Sequence, residues 1–444
     1  MSHTFPPSAP EAPAPQAAPT QAAPAETATR STGPAKPRLG WLDALRGLAA
    51  LTIVVQHFSQ FLLPGVFART SHWLDLGSYG VFLFFLVSGY IVPASLERRG
   101  SVRGFWLSRL FRIYPLCLVV VGVGVLVWKL GAYRTLSPVN GFATEHPALA
   151  ALGNLTMLHD FLGMGGALFV MWTLSYEMAF YFLVAALFVL GVHRRSAEIS
   201  VAFAVAGVAA VGVFPLLAVT HDQAWIRRSV VLVAAAMAVG LLLVMSRRRP
   251  LAVGGALVLA ALALYLLVAN SRTGWFSMAI LATMFAGTAF YRAEQGQIGR
   301  GRCAVAGALA FGAIVWVGTR YGEGDVLATH LQKQWPITMA ATWATFALGY
   351  SLRNHRIPRL FSWLGSISYS IYLVHAVLLC VLLRLVGPHA ATTLSSGARV
   401  GLGVLFCVAV VLLSHLTFRL VEQPFQRLGH RVTKRVEKLG ARSV

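Results

Sequence analysis

Charged residues are scarce in this sequence of 444 residues. They make up 12% of the chain, hydrophobic residues make up 57%, and only 15 residues are Asp or Glu. Soluble globular proteins carry roughly 25% charged residues, so this composition excludes an ordinary soluble enzyme. Cysteine is also rare. The four cysteines all lie in apolar runs without the spacing of metal ligands, which indicates buried apolar side chains and excludes a disulfide framework or a zinc site.

Large apolar side chains are nearly missing from residues 1–38, a tract that is rich in Pro and Ala. Such a segment cannot bury enough surface to offset the entropy lost on ordering, so a disordered cytoplasmic tail is predicted. The tract also lacks the basic start and short apolar centre of a secretory signal peptide, and we expect it to be retained.

Apolar runs separated by short polar breaks fill the chain from Trp41 onward. A helix needs about 20 residues to cross a hydrocarbon layer of about 30 Å. Only helices satisfy their own backbone polar groups in a lipid-exposed run of this kind. The sequence therefore predicts an all-α polytopic transmembrane helical bundle of about 10–12 spans within a domain over 39–425. The candidate spans are 41–63, 76–96, 113–131, 167–191, 199–220, 229–245, 251–269, 275–291, 303–319, 337–352, 363–387 and 399–421.

The distribution of basic residues predicts the orientation of these spans. An N-terminus and C-terminus in the cytoplasm place 25 of the 37 Lys and Arg residues on that side, as the positive-inside rule requires. The net charge of +22 is then mainly a topology signal and an attraction to anionic membrane lipids, so nucleic acid is a poor candidate partner. We expect a multi-pass protein of a bacterial inner or plasma membrane.

Two basic segments mix apolar and cationic residues in a way that is typical of interfacial helices. Residues 101–112 are predicted to lie along the membrane surface, with Pro115 in the first turn of the span that follows. Residues 426–444 are predicted to form a basic amphipathic cytoplasmic tail.

The first span carries an unusual stripe of ionisable residues. At about 100° per residue, Asp43, Arg46 and His57 share one helix face, and Arg46 and His57 lie roughly 16 Å apart along the axis. Because burying charge in a membrane costs free energy, such a stripe favours a reaction site or channel. The alternative for Asp43 and Arg46 is a structural ion pair at i,i+3 spacing.

Other spans contribute isolated polar groups. Arg109 and Arg112 stand at i,i+3 at the predicted cytoplasmic end of the third span and can grip phosphate, although ordinary positive-inside anchoring would give the same pattern. Glu177 is an isolated carboxylate in an aromatic span, which favours a functional role. Ser88 lies in a segment whose small residues favour helix packing. His375 ends a run that is rich in hydroxyl groups, several of which are expected to be structural.

Six segments in this order resemble the acyltransferase-3 family of integral membrane O-acyltransferases. They are LDALRG of residues 42–47 with His57, GVFLFFLVSGY of 80–90, RLFRIYP of 109–115, WTLSYE of 172–177, LGSISYSIYLVH of 364–375 and VEQP of 421–424. This sequence has Ala44 where the family usually has Gly. Its middle region, 199–352, matches in hydropathy alone and carries more spans than is typical. A fused C-terminal hydrolase-like domain, which some members carry, is not expected.

The resemblance implies transfer of an acyl group, usually acetyl from acetyl-CoA, to a hydroxyl of a glycan or a lipid-linked sugar, without a metal. It implies that Arg109 and Arg112 bind the CoA phosphates and that His57 is a general base or a transient acyl carrier. The remaining implied roles are donor binding by Arg46, Asp43, Ser88 and Tyr114, and orientation of the acceptor or of His57 by Glu177 and His375.

Two other classes of function remain as alternatives. About twelve spans with few buried charges also fit a transporter or proton-coupled carrier. A scaffold would use the Pro/Ala tail to recruit partners, and its function would depend on residues 1–38.

Overall fold

The computed structural model describes residues 1–3, 40–131, 141–213, 222–270, 272, 274–321, 331–387 and 389–442. The predicted disordered tail over 1–38 lies outside the described residues, apart from 1–3. Residues 39–444 form one compact unit.

The unit is built from α-helices, and no strand occurs in the described ranges. In chain order the helices are α1 (Gly40–Leu62), α2 (Pro64–Trp73), α3 (Leu76–Arg99), α4 (Val102–Lys129), α5 (Gly141–Glu145), α6 (Pro147–Thr156), α7 (Trp172–Val189), α8 (Ser196–Val213), α9 (Gln223–Val244), α10 (Arg249–Val268), α11 (Gly274–Glu294), α12 (Arg300–Tyr321), α13 (Leu331–Ser351), α14 (Arg359–Ser366), α15 (Ser368–Val386), α16 (Ala390–Thr393), α17 (Ser396–Thr417) and α18 (Gln423–Arg442). Short 3₁₀ helices cover Phe169–Met171 and Leu352–Asn354, and a π-helix covers Phe418–Glu422.

The predicted all-α polytopic bundle is confirmed. Among the described residues, nine helical segments are long and apolar enough to cross a membrane, as expected of a multi-pass membrane protein. The three other predicted spans correspond to α1, which carries charges, α8, whose apolar stretch is shorter, and α13. The predicted span over 363–387 is divided at Ile367, between α14 and α15.

The separate interfacial segment over 101–112 was a wrong prediction, because these residues continue without a break into the span. Gly100 ends α3 in the left-handed conformation, with φ of 62°, and the side chain of Ser101 accepts a hydrogen bond from the Gly104 N–H to begin α4. Pro115 lies inside α4 and not in a first turn. Packed neighbouring helices tolerate such a proline within a membrane. Consequently Arg109 and Arg112 lie well inside a long helix.

Helix α3 is central, and glycines let its neighbours approach closely. A Cβ on Gly89 would lie 1.9 Å from the carbonyl oxygen of Met284 in α11, and one on Gly287 would lie 2.2 Å from the oxygen of Leu86. Thr288 donates a hydrogen bond to the oxygen of Gly89 across this crossing, at 2.8 Å. The small residues of the second predicted span therefore serve close packing, as the sequence indicated.

The first helix is fixed by an equally close contact with α14. A Cβ on Gly365 would lie 1.9 Å from the carbonyl oxygen of Asp43, and one on Gly47 would lie 2.9 Å from the Leu364 side chain. On another face of α1, a Cβ on Gly80 of α3 would lie 2.7 Å from the oxygen of Ala49. These contacts hold the ionisable stripe of α1 in a defined direction.

A buried ion pair with further hydrogen bonds ties helix ends together on the face that carries α18, the predicted cytoplasmic face. Arg292 is 1% exposed and donates to Glu97 at 2.7 Å, to Ser196 at 2.7 Å and to Gln297 at 2.5 Å. A buried guanidinium with this many partners is satisfied. The network links α3, α8 and α11 at one end of the bundle.

On the opposite face, the connection between α6 and α7 is also held by an ion pair. Arg272 donates to both carboxylate oxygens of Asp160, at 2.8 and 3.1 Å, and stacks over the Trp172 ring. The adjacent His159 is fully buried, and neither ring nitrogen has a hydrogen-bond partner among the described residues. Burial lowers the pKa of His159 to about 4, so its ring is neutral near pH 7.

Candidate active site

A cavity of about 790 Å³ opens between α1, α3, α4, α7 and α15, and we call it the inner cavity. It brings together five of the predicted site residues, which come from four helices: Arg46, Ser88, Arg109, Arg112 and Glu177. Aromatic and hydroxyl groups complete its polar lining, namely Thr173, Tyr181, Tyr369 and Tyr372.

Arg109 is held by two aromatic rings. Its guanidinium carbon lies 5.1 Å from the ring centroids of both Phe105 and Tyr181, and the residue is 6% exposed. Its Nε has no hydrogen-bond partner among the described residues. A buried guanidinium that is stacked, and not ion-paired, keeps donors available for an anion in the cavity.

Glu177 is linked to the same arginine through Tyr181. The Tyr181 hydroxyl donates a hydrogen bond to Glu177 Oε1, one helical turn away on α7. The carboxylate is therefore fixed by a neighbour on its own helix, and Tyr181 contacts both Glu177 and Arg109.

Arg46 faces several charges across the inner cavity. Its guanidinium interacts electrostatically with Asp43, Glu177 and Glu422, and with Arg112. Glu422 is 3% exposed and accepts hydrogen bonds from Ser370 at 3.0 Å and from Gln426 at 2.9 Å. These carboxylates partly neutralise the arginines, so the inner cavity can hold a cation-rich lining inside a membrane.

A histidine pair forms the second part of the site. Nδ1 of His57 lies 3.0 Å from Nε2 of His375, and the two ring planes differ by 8° with centroids 5.3 Å apart. The short nitrogen–nitrogen distance and the longer centroid distance mean that the rings meet edge to edge. The planes of both imidazole rings lie at 87° to the plane of the Phe169 ring, which packs beside the pair.

The hydrogen bonds assign the tautomers of this pair. The carbonyl oxygen of Ile371 can only accept, and it lies 2.9 Å from Nδ1 of His375, so that nitrogen carries the proton. In a neutral ring Nε2 of His375 then accepts, and Nδ1 of His57 must donate to it. Nε2 of His57 is left with a free lone pair, which is the form required of a general base.

Tyr372 lies between the inner cavity and the histidine pair. It lines the cavity, and its ring centroid is 6.0 Å from that of His375. Its hydroxyl donates to the oxygen of Val170 at 2.6 Å and lies 2.7 Å from Thr173 Oγ1. The inner cavity therefore ends one helical turn of α15 before His375.

Two predicted donor-binding residues lie elsewhere. The Tyr114 hydroxyl donates to the oxygen of Leu155 at 2.9 Å, and the residue lines an apolar groove between α4 and α6. Asp43 packs through its backbone against Gly365, outside the residues that line the inner cavity. In the part of the chain that the structure describes, no group of three or more His, Cys, Asp or Glu residues could hold a metal ion.

A sequence model of a family described as "Acyltransferase domain" matches residues 39–419. The chain belongs to the acyltransferase-3 family. The resemblance of the six ordered segments is thereby confirmed, and the match spans every residue of the inner cavity and the histidine pair.

Curated relatives share parts of this acyltransferase domain. The chain is 34% identical over 152 residues to Acyltransferase MdmB of Streptomyces mycarofaciens, a match that covers 33% of this chain and 38% of the relative. It is 32% identical over 97 residues to a putative O-acetyltransferase of Staphylococcus aureus strain COL, which covers 20% of this chain and 14% of the relative.

A third relative is a putative peptidoglycan O-acetyltransferase, YrhL, of Bacillus subtilis strain 168. It is 25% identical over 175 residues, which cover 36% of this chain and 26% of the relative. In all three matches the chain covers well under half of the relative's own length. No solved structure matches this chain.

Several residues of the candidate site were not among those predicted. Tyr181 could have been found as the i+4 neighbour of Glu177. Tyr372 belongs to the hydroxyl-rich LGSISYSIYLVH segment, and Glu422 to the VEQP segment. Thr173 belongs to the WTLSYE segment. No sequence signal distinguishes Phe169 from other apolar-span residues, because its role depends on contacts with His57 and with His375 of α15.

Proposed function

We propose that this protein is a membrane O-acyltransferase that transfers an acyl group, in the simplest case acetyl, from acyl-CoA to a hydroxyl of a glycan or lipid-linked sugar. The observation that carries the proposal is the arrangement of the inner cavity. It runs from an arginine pair at the predicted cytoplasmic side to Tyr372, beside the histidine pair. Acyl-CoA is a cytoplasmic polyanion whose thioester lies at the end opposite its phosphates. The cavity has a matching arrangement, with arginines at one end and the histidine pair beyond the other.

In the proposed reaction, Arg109 and Arg112 bind phosphates of the donor, and the thioester reaches toward Tyr372. Nε2 of His57 takes the proton of the acceptor hydroxyl while the oxygen of that hydroxyl attacks the carbonyl carbon of the thioester. The tetrahedral intermediate then collapses: the new C–O bond remains, the C–S bond breaks, and the CoA thiolate takes the proton back from His57. His375 stabilises the imidazolium through Nδ1 of His57 and thus acts as a positioning residue.

A glycan acceptor is supported by the family and by one relative, whose name describes peptidoglycan O-acetylation. Sugar hydroxyls are weakly acidic and require base catalysis, which the assigned tautomer of His57 can supply. We place the protein in the inner or plasma membrane, with the donor side facing the cytoplasm.

Purified protein in a neutral detergent tests the proposal. We expect it to bind acetyl-CoA and to release CoA thiol when an acceptor glycan is supplied. The His57→Ala variant should keep donor binding but lose roughly 10²–10⁴-fold in transfer rate. A His72→Ala variant on the exposed surface of α2 is the matched control. Substrate uptake into proteoliposomes with no covalent product would instead support a carrier, and full activity of His57→Ala would exclude the assigned base.

A further inference from the structure

A second cavity, of about 600 Å³, lies directly outside the inner cavity on the predicted cytoplasmic face. Arg109 and Arg112 line both cavities, so the two meet at the arginine pair. We call the second one the outer cavity. Its remaining lining consists of polar or small residues from α3, α4 and α18: Ser95, Arg99, Ser108, Gln426, Gly429 and His430.

Helix α18 forms one wall of the outer cavity because it docks closely on α4. A Cβ on Gly429 would lie 2.6 Å from the Cβ of Phe111, and one on Gly104 would lie 3.2 Å from Thr433. Gly429 and Thr433 are one helical turn apart, so a single face of α18 makes these contacts. The acyltransferase family match ends at residue 419, and this wall lies beyond it.

The outer cavity is rich in positive charge. Nη2 of Arg99 donates to Ser108 Oγ at 3.1 Å, which directs its guanidinium toward the start of α4. Burial and the neighbouring cations Arg99 and Lys434 lower the pKa of His430, so this side chain offers a hydrogen-bond donor to the cavity and not a positive charge. Two carboxylates act on the arginines: Glu437 on Arg99, and Glu422 on Arg112.

Neither carboxylate is among the residues that line the outer cavity, whereas three arginines are, namely Arg99, Arg109 and Arg112. A cavity lined by several arginines attracts anions and favours a phosphate group with two negative charges. Arg99 of α3 and His430 of α18 both line the outer cavity, so two helices can each offer a donor to one phosphate group.

We propose that Arg99, Ser108 and His430 form a subsite for a phosphate monoester, and that its occupant is the 3′-phosphate of the acyl-CoA donor. This inference rests on the proposed function and deepens it. The pyrophosphate then contacts Arg109 and Arg112 where the cavities meet, and the pantetheine arm extends into the inner cavity. Helix α18 thus belongs to the donor site even though it lies outside the family match.

The comparison of CoA with 3′-dephospho-CoA tests the subsite, because the two ligands differ by that phosphate alone. Binding is measured by calorimetry on the full chain in neutral detergent. We expect the protein to bind CoA about tenfold more tightly than 3′-dephospho-CoA. Arg99→Gln and His430→Gln should each remove most of this preference by weakening CoA and leaving 3′-dephospho-CoA unchanged. Arg431→Gln, an exposed cation of α18 outside the cavity, should leave both affinities unchanged.

A further variant guards against a folding defect. Gly429→Leu should separate α18 from Phe111 and abolish the preference for CoA. The melting temperature of the Arg99→Gln protein should stay near that of the unaltered protein, which would show that its altered affinity does not come from misfolding. Equal weakening of both ligands by Arg99→Gln, or no preference for CoA in the unaltered protein, would overturn the subsite and leave the acyl-CoA proposal intact. Failure to bind either ligand would instead contradict the proposed function.

A phospholipid headgroup carries related chemistry and is the other source of phosphate. Nanodiscs that contain anionic lipid, analysed by native mass spectrometry, separate the two sources. We expect Arg99→Gln to leave the number of bound anionic lipids unchanged. Loss of a bound lipid, together with unchanged affinity for CoA, would assign the subsite to a lipid headgroup and reject the proposal.

Discussion

Nδ1 of His57 on the first helix lies 3.0 Å from Nε2 of His375, 318 residues further along the chain. The carbonyl oxygen of Ile371 holds the proton of His375 on Nδ1. The direction of the hydrogen bond between the two histidines is therefore determined by the backbone of α15. One backbone carbonyl therefore decides which nitrogen of His57 is available as a base.

His375→Phe should lower the rate constant for transfer and leave KM for acyl-CoA unchanged. The substitution keeps a ring of similar size but leaves the Nδ1 proton of His57 without its acceptor. A hydrogen bond to a group that becomes charged contributes about 1.5–3 kcal/mol, so kcat should fall roughly 10- to 100-fold. Steady-state release of CoA thiol measures both constants. A rise in KM with unchanged kcat would place His375 in donor binding instead.

Arg109→Lys should raise KM for acyl-CoA about tenfold or more and change kcat little. Lysine keeps the charge but cannot stack between the rings of Phe105 and Tyr181 or offer a planar pair of donors. The matched control is Arg194→Lys on the exposed turn between α7 and α8, which should leave KM unaltered. An unchanged KM in Arg109→Lys would show that the aromatic stacking has no part in donor binding.

Gly89→Ala should prevent correct assembly of α3 with α11. The added methyl group would lie 1.9 Å from a backbone oxygen, and a backbone atom cannot move aside without shifting a helix. We expect a loss of about 3 kcal/mol or more in stability, measured as melting temperature and folded yield in detergent.

Gly312→Ala provides the contrast for that substitution. A Cβ on Gly312 in α12 would meet no atom within 4 Å, so the replacement should be neutral or stabilise the helix by about 0.5–1 kcal/mol. Equal behaviour of the two variants would contradict the close crossing at Gly89.

Acidification should destabilise the protein through His159. Because burial lowers its pKa from 6.5 to about 4, the unfolded chain binds a proton between these values that the folded protein does not bind. Stability contributed by this group is therefore complete above pH 6.5 and falls as the pH drops toward 4, by roughly 3 kcal/mol in total.

Thermal unfolding across pH 4–7 measures this loss, with His159→Phe as the comparison. The variant should show a smaller decrease in melting temperature on acidification than the unaltered protein. An identical pH profile for the two proteins would mean that His159 does not titrate on unfolding.

The sequence predicted the helical class and the cavity-lining residues of single helices because helix periodicity is a local property. Arg46, Arg109 and Arg112 do line one cavity with Glu177. The six ordered segments also predicted the family. Pro115 misled the placement of the third span, since a membrane bundle accepts a proline that a soluble helix would place at its start.

Contacts between distant helices were beyond the reach of such patterns. The partner of His57 lies on a helix near the other end of the chain. The family resemblance offered His375 as a residue that orients the acceptor or His57, but no local spacing encodes their contact. The same holds for Glu422, whose burial depends on a π-helical turn at Phe418–Glu422 and on Ser370 of α15. Helix packing determines these relationships, and the packing depends on glycine contacts between helices that are also distant in sequence.

The position of Tyr372 has a consequence for the energetics of the cell. A water-filled passage from the cytoplasm to the opposite face would let protons leak and dissipate the membrane potential. Tyr372 is anchored to Val170 and Thr173 at the inner end of the cavity, between the arginine-lined part and the histidine pair. A donor thioester that reaches His57 would have to pass this fixed ring, and the ring occupies space that could otherwise hold a continuous column of water.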